Sequence, residues 1–371
     1  MTPYPSQSVS RFFRTQSLKG LVLGMFESLF GIINTPLGEI LKFIANLVGG
    51  SFAASVFIFT LIINIALVPL TIKSQKSSVQ QLRIKPKLDD IKKRYADDKQ
   101  RQSEETQKLY QEEKVSMAGG CGPMIFRLLL MMSIYYLILS PLTYMTGVEK
   151  AKIEKVSSAI TSGMERLEKK DEAKYKEYKE LLDWDNNSTR ANQLSVVRVI
   201  RKDIDIREIL TDEQYKKVKS DFKYIKEMDT KAGIDYTLFT DKLDLTEKPH
   251  FSLDIFDAWE TIWLIPIGAY LAQFLTSLLS MYQQKKQNPD APNMAFMMLT
   301  MPLISLFIGF TLPAGVGFYW ICSSLIGGGI QFVMQQFYGP QKLLAKERSK
   351  ELKERSLTEL KQISIAENSA E

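Results

Sequence analysis

The sequence predicts an all-α polytopic membrane protein with five transmembrane helices around a polar groove. It also predicts a cytoplasmic helical hairpin and an enlarged, mainly helical external domain. Three observations carry this. Charged residues are nearly absent from five runs of about twenty residues and crowded into the stretches between them, as a bilayer requires of spanning helices. Basic residues exceed acidic ones in the short connecting stretches. Polar side chains recur at helical spacing inside three of the apolar runs. A hydrophobic content of 45% decides nothing, because it averages these two populations.

The first run, residues 52–72 (FAASVFIFTLIINIALVPLTI), carries no charge and is long enough to cross roughly 30 Å of hydrocarbon at about 1.5 Å per residue. The second, residues 122–144, carries one charge, Arg127, about a turn and a half from its start. A third runs from Thr261 to Met281. Met294–Leu312 and Val316–Phe337 form a pair joined by the turn Pro313-Ala314-Gly315.

Orientation follows from the charge bias of short loops. Between Ile72 and Ala118 there are 12 basic and 8 acidic residues, and Gln283–Asn293 adds Lys285 and Lys286 against Asp290. Both stretches are expected in the cytoplasm, as is the tail from Tyr338, where Lys342, Lys346, Arg348 and Lys350 follow the last run. Residues 73–118, charged and broken near Asp97-Asp98, are expected to form the helical hairpin. Residues 146–258, with 22 basic and 24 acidic residues, then lie outside, and the chain is a multi-pass protein of the cell membrane. The expected organisation is 1–51, 52–145, 146–258, 259–337 and a charged tail 338–371.

In the external stretch, Ile153, Val156, Ile160, Met164 and Leu167 follow helical spacing, as do Tyr215, Val218, Phe222 and Ile225 behind the candidate N-cap Thr211. A domain that shields or braces the outer helix ends is expected. At the N-terminus, Leu21–Thr35 is apolar but short and interrupted by Glu27. It reads as an interfacial segment continued by Leu37–Val48, with Ile40, Phe43, Ile44 and Leu47 on one apolar face, or as a sixth span.

Intramembrane polar groups normally face a protein interior or a water-filled cavity. Thr60, Asn64 and Thr71 lie on one stripe of the first run, Gln273, Thr276, Ser277 and Ser280 on one of the third, and Trp320, Ser324, Gln331 and Gln335 on one of the fifth. No Asp or Glu lies in any of the five runs to pair with Arg127. The candidate groove residues are Arg127, Asn64, Thr60, Gln273, Thr276, Trp320, Ser324 and Gln331. The absence of intramembrane acids argues against a proton- or sodium-coupled transporter, and no Walker sequence occurs. With one histidine, His250, and two cysteines, Cys121 and Cys322, the chain lacks the residues for most metal, triad or disulfide chemistry. Neither a catalytic residue, a metal nor a cofactor is expected. No aromatic-basic RNA motif appears, and no DNA partner is expected. The competing readings are a small-solute transporter and a membrane scaffold whose polar stripes only bond helix to helix.

Several strings are similar to those of the YidC-type insertases shared by bacteria, mitochondria and chloroplasts, in the five-span form of Gram-positive bacteria. They are Leu67-Val68-Pro69-Leu70-Thr71-Ile72-Lys73 followed by Gln75-Lys76-Ser77, Lys85-Pro86-Lys87-Leu88, Lys93-Arg94-Tyr95, Lys108-Leu109-Tyr110-Gln111-Glu112, Gly119-Gly120-Cys121-Gly122-Pro123, and Leu312-Pro313-Ala314-Gly315-Val316-Gly317-Phe318-Tyr319-Trp320. These strings place the resemblance at about 36–145 and 263–341, leaving the external domain outside it. The resemblance implies a groove open to cytoplasm and lipid and closed outward, which a substrate's polar segment enters briefly. It also implies nascent membrane proteins as substrates, with the ribosome, signal-recognition targeting factors and the secretion channel as candidate partners. The family's basic residue of the first span falls on Asn64, and its usual glutamine of the second span falls on Arg127, with Leu129 where a proline is usual. Its polar site in the third span falls on Thr276 and its groove-side tryptophan on Trp320.

Overall fold

The computed structural model describes residues 30–115, 122–184, 192–252, 259–287 and 295–368. The described chain is helical apart from one small hairpin. Residues 30–47 form α1, followed by α2 (Phe52–Ala66), α3 (Val68–Arg94), α4 (Lys99–Glu112), α5 (Gly122–Leu139) and α6 (Pro141–Tyr144). Residues 146–258 hold α7 (Lys150–Lys170), α8 (Glu172–Leu181), α9 (Asn192–Arg201), α10 (Ile206–Ile209), α11 (Asp212–Ala232), and the antiparallel strands β1 (Thr237–Leu238) and β2 (Thr240–Asp244). A 3-10 turn, Thr261–Trp263, opens α12 (Leu264–Gln287), and α13 (Ala295–Gly309), α14 (Ala314–Tyr338) and α15 (Pro340–Asn368) complete the chain.

Among the described residues, Thr261–Gln283 and the apolar part of Ala314–Gln362 are long and apolar enough to cross a bilayer. Phe52–Ala66 with Val68–Ser77 makes a third if that pair, bent by 42°, is one span. Leu128–Leu139 and Thr300–Gly309 are shorter apolar helices. The expected first run is therefore not one straight helix. Pro69, near the start of α3, has no N–H for the carbonyl of Ile65, and its ring crowds that carbonyl, so the axis bends at Leu67. The second run stops short of Tyr144, because Ser140, forced out of helical geometry by Pro141, sits at φ −128°, ψ 51°. The fifth begins at Ala314, two residues earlier than expected, with Pro313 just before it, and the turn lies at 310–313.

The chain separates into two compact units: Met1–Phe59, Leu130–Ala269 and Ser305–Ile321, and Thr60–Leu129, Tyr270–Ile304 and Cys322–Glu371. In the first, α7 buries Ile153, Val156, Ile160, Met164 and Leu167, the face expected from sequence, each contributing roughly 1.5–3 kcal/mol. Thr211 caps α11 through a capping box with Gln214, and Val218 and Ile225 are buried beneath it. Arg198 of α9, 3% exposed, pairs with Asp183 at 3.3 Å and donates to the carbonyls of Leu182 and Thr246, binding α8, α9 and the segment after β2 together. Gln193 and Thr143 exchange two hydrogen bonds, of 3.3 and 2.8 Å, tying α9 to α6.

The segment around β1 and β2 fastens this domain to two apolar helices. Phe52 N–H donates to Asp235 O (2.8 Å) and Asp235 N–H to Gly50 O (2.9 Å), while the Ala314 and Gly315 N–H groups donate to Glu247 O (2.8 Å) and Leu245 O (2.7 Å). Three of these bonds, from Phe52, Ala314 and Gly315, satisfy donors at helix starts that have no partner within their own helix. Gly315 is needed there: a Cβ would come 3.0 Å from Leu245 O and 3.1 Å from Ile138 Cγ2. In α1, Phe30, Asn34, Leu41 and Ala45 are buried, and Phe30 meets Tyr136 at 5.2 Å. Of the expected apolar face, Ile44 is buried but Ile40, Phe43 and Leu47 are exposed, so the helix has one face on the protein and an apolar one away from it. Residues 21–29 of the expected interfacial segment lie outside the described residues.

In the second unit, α3 runs without interruption from the bend into the hairpin. Asp98 caps α4 by accepting from Arg101 N–H (2.9 Å). Ile84, Leu109 and Val115 form a narrow seam with Leu88, Ile91 and Tyr110, and Lys87 pairs with Glu113. Arg83 reaches Glu347 (3.1 Å) and Glu351 (2.7 Å), laying α15 along α3.

Candidate functional site

Seven of the eight candidate groove residues fall in the second unit; Trp320, partly buried, falls in the first. Thr60 is 1% exposed and Asn64 partly buried, and the Asn64 amide donates to the Thr60 carbonyl (2.8 Å). Thr71 Oγ1 donates to Leu67 O (3.1 Å) and Thr276 Oγ1 to Gln273 O (2.9 Å). All three bonds stay within one helix, so they do not tie helix to helix. Gln273, Thr276, Ser324 and Gln331 are each partly buried.

The structure brings two stripes together. Gly328 lies one turn beyond Ser324 on the same face of α14. A side chain at Gly328 would collide with the Thr276 methyl group, so the polar face of α14 is turned toward that of α12. The opposite character lies outward. Leu61, Ile62 and Ile65 of α2, Leu271, Leu275, Leu278 and Leu279 of α12, and Leu325, Phe332 and Val333 of α14 are all exposed. Polar groups inward and large aliphatic groups outward is the pattern of a helix surrounded by lipid.

Arg127 lies within α5; its side chain is outside the described residues. The search along the sequence missed two buried amides of the second unit, Gln75 (9% exposed) and Gln283 (5% exposed, its Nε2 without a partner). Both continue stripes already recognised, Gln75 four residues after Thr71 and Gln283 three after Ser280. Both lie beyond the expected apolar runs, which end at residues 72 and 281.

A separate cavity of about 630 Å³ lies in the domain between α6 and α12 and includes none of the stripe residues. Glu177, Glu180, Asp183, Lys202, His250 and Glu260 line it. His250 lies 3.2 Å from Asp183 and 3.6 Å from Glu260, and its hydrogen bond to Asp183 raises its pKa above the ordinary value. Elsewhere in the domain, burial lifts the Asp229 carboxyl to about 6, opposed by Arg201. Among the described residues, no group of three or more His, Cys, Asp or Glu could hold a metal ion.

A family model described as 60Kd inner membrane protein matches residues 43–202 and 220–341. The match takes in most of residues 146–258, so the likeness reaches well beyond the stretches in which the resemblance was expected, about 36–145 and 263–341.

Proposed function

Since the chain belongs to the 60Kd inner membrane protein family, the YidC family of membrane insertases, we propose that it inserts proteins into the bilayer through a hydrophilic groove. The groove lies among five spans, 52–72, 122–144, 261–281, 294–312 and 316–337, with the hairpin and tail in the cytoplasm and residues 146–258 outside. The observation that carries this reading is the inverted polarity of α2, α12 and α14, with exposed leucines and isoleucines around partly buried Thr, Asn, Gln and Ser.

The mechanism needs no covalent step. A substrate's polar end enters the groove from the cytoplasm, where Thr60, Asn64, Gln273, Thr276, Ser324, Gln331 and the Arg127 guanidinium replace part of its lost hydration, with Trp320 along the same stripe. An uncompensated amide costs several kcal/mol in hydrocarbon, roughly 4–8 on the strictest scale, so a few such contacts lower the barrier substantially. The polar end then crosses a shortened hydrophobic path while the apolar segment leaves sideways into lipid. Nascent membrane proteins are the substrates. Ribosomes, targeting factors and the secretion channel meet the cytoplasmic hairpin or tail, whose basic surface favours such contacts.

Single cysteines at Thr276 and Ser324, in a chain lacking Cys121 and Cys322, test this. A membrane-impermeant thiol reagent should label them when added to the cytoplasmic face and fail from the outer face, with a cysteine at Leu275 unreactive from both. A scaffold with dry stripes leaves all three unlabelled, and labelling from the outer face alone contradicts the orientation.

A further inference from the structure

Phe239, between β1 and β2, stands at φ 60° with 93% of its surface exposed. The left-handed region is unfavourable for any residue with a Cβ, and glycine or asparagine would turn the chain here at lower cost. No burial offsets that cost. A large aromatic group held out in a strained turn points to a partner outside the chain.

The surroundings identify that partner. The hairpin is fastened by backbone hydrogen bonds to the first residues of α2 and α14, at Phe52, Ala314 and Gly315, and β2 packs along the 3-10 turn that opens the Thr261–Gln283 helix. Three apolar helices therefore begin beside it, which places the hairpin at the edge of the hydrocarbon, continuous with the surface that lipid covers. Other exposed aromatics share this border. Trp259, 50% exposed, meets Trp263 at 5.6 Å, and Phe251, 55% exposed, meets Phe310 at 5.3 Å. Aromatic rings concentrate at such borders because one part can be apolar and another wet. Exposed Lys242, three residues on, suits lipid phosphate.

We propose that Phe239 is a lipid anchor. The hairpin tip inserts its ring into the boundary between headgroups and acyl chains on the side of residues 146–258, and so holds the external domain down on the membrane. The proposal rests on the bilayer placement of the apolar helices.

The test uses the full-length protein in phospholipid vesicles, lacking Cys121 and Cys322, with an environment-sensitive fluorophore on a single cysteine. Phe239→Cys probes the tip, Ser220→Cys an exposed site on α11, and Leu275→Cys a lipid-facing site on α12. The label at 239 should be quenched by lipids brominated near the headgroup and shielded from iodide in water, while that at 220 shows the reverse. A label at 239 that behaves like the one at 220 overturns the anchor. If the label at 275 escapes lipids brominated deep in the acyl chains, the bilayer placement itself fails. Phe239→Asn supplies a probe-free check: it should keep the thermal midpoint in detergent yet speed hydrogen exchange of residues 233–247 in vesicles. Loss of folding in detergent would make Phe239 a fold residue and overturn the proposal.

Discussion

Arg127 is the only charged residue in the five apolar runs, and Asn64 stands where the family resemblance places a base. At about 1.5 Å per residue, Asn64 lies ~13 Å and Arg127 ~7 Å from the cytoplasmic ends of their runs, a gap that an arginine side chain largely spans. If Arg127 provides the groove's positive charge, Arg127→Ala lowers insertion about tenfold, since a charge-assisted hydrogen bond contributes roughly 1.5–3 kcal/mol. Membrane integration should persist, because removing an unpaired charge relieves a cost. Asn64→Arg combined with Arg127→Gln should recover much of the activity. Complementation assays on the single and double variants read this, and full activity in Arg127→Ala would make the residue an interfacial anchor only.

Two residues of the domain between α6 and α12 set a pH dependence. Asp229, lifted to about 6 by burial and facing Arg201 and Tyr236, keeps its proton in the fold where the unfolded chain has lost it. Its contribution to stability therefore falls as pH rises from the ordinary carboxylate range to about 6. His250, raised by Asp183 and then Glu260, contributes fully below its ordinary pKa and loses that contribution as pH rises through its raised value. Both act in one direction. Thermal unfolding in detergent should show Asp229→Asn gaining on the wild type as pH rises through the lower window. His250→Gln should lose to the wild type at mildly acid pH and converge with it at alkaline pH. Parallel wild-type and variant profiles would contradict the assignment.

At the scale of elements, the nearly charge-free runs were readable from composition alone, and the helical spacing of Ile153 to Leu167 because burial imposes a strong periodic pattern. Thr211 was readable because a cap is a local chemical requirement. The bend at Leu67 was less so: Pro69 marks a weakness, but its angle depends on what packs around it. The hairpin Thr237–Asp244 escaped notice because its strands are two and five residues long and held largely by helix starts remote in sequence. The helical hairpin of α3 and α4 has only a narrow apolar seam, and its exposed ion pairs, including Arg83 with Glu347 and Glu351, contribute about 0–1 kcal/mol each. Deleting Val79–Lys108 should therefore leave a folded, membrane-embedded protein with reduced insertion. Size-exclusion profiles and insertion yields measure the two effects separately, and loss of the folded protein would make the hairpin structural.

Over the whole molecule, the polar stripes of three helices were legible, and the packing of α14 on α12 at Gly328 gives two of them a common side. The inward amides Gln75 and Gln283 were missed for want of the true helix lengths. On the proposed reading the protein lowers a barrier for a process that is already downhill, so insertion is expected to proceed without nucleotide or a coupled ion gradient. The direct test is reconstitution. The purified protein in liposomes, given a short two-span substrate and no energy source, should insert it to a protease-protected state well above protein-free liposomes, and insertion no greater than in those controls would contradict the account.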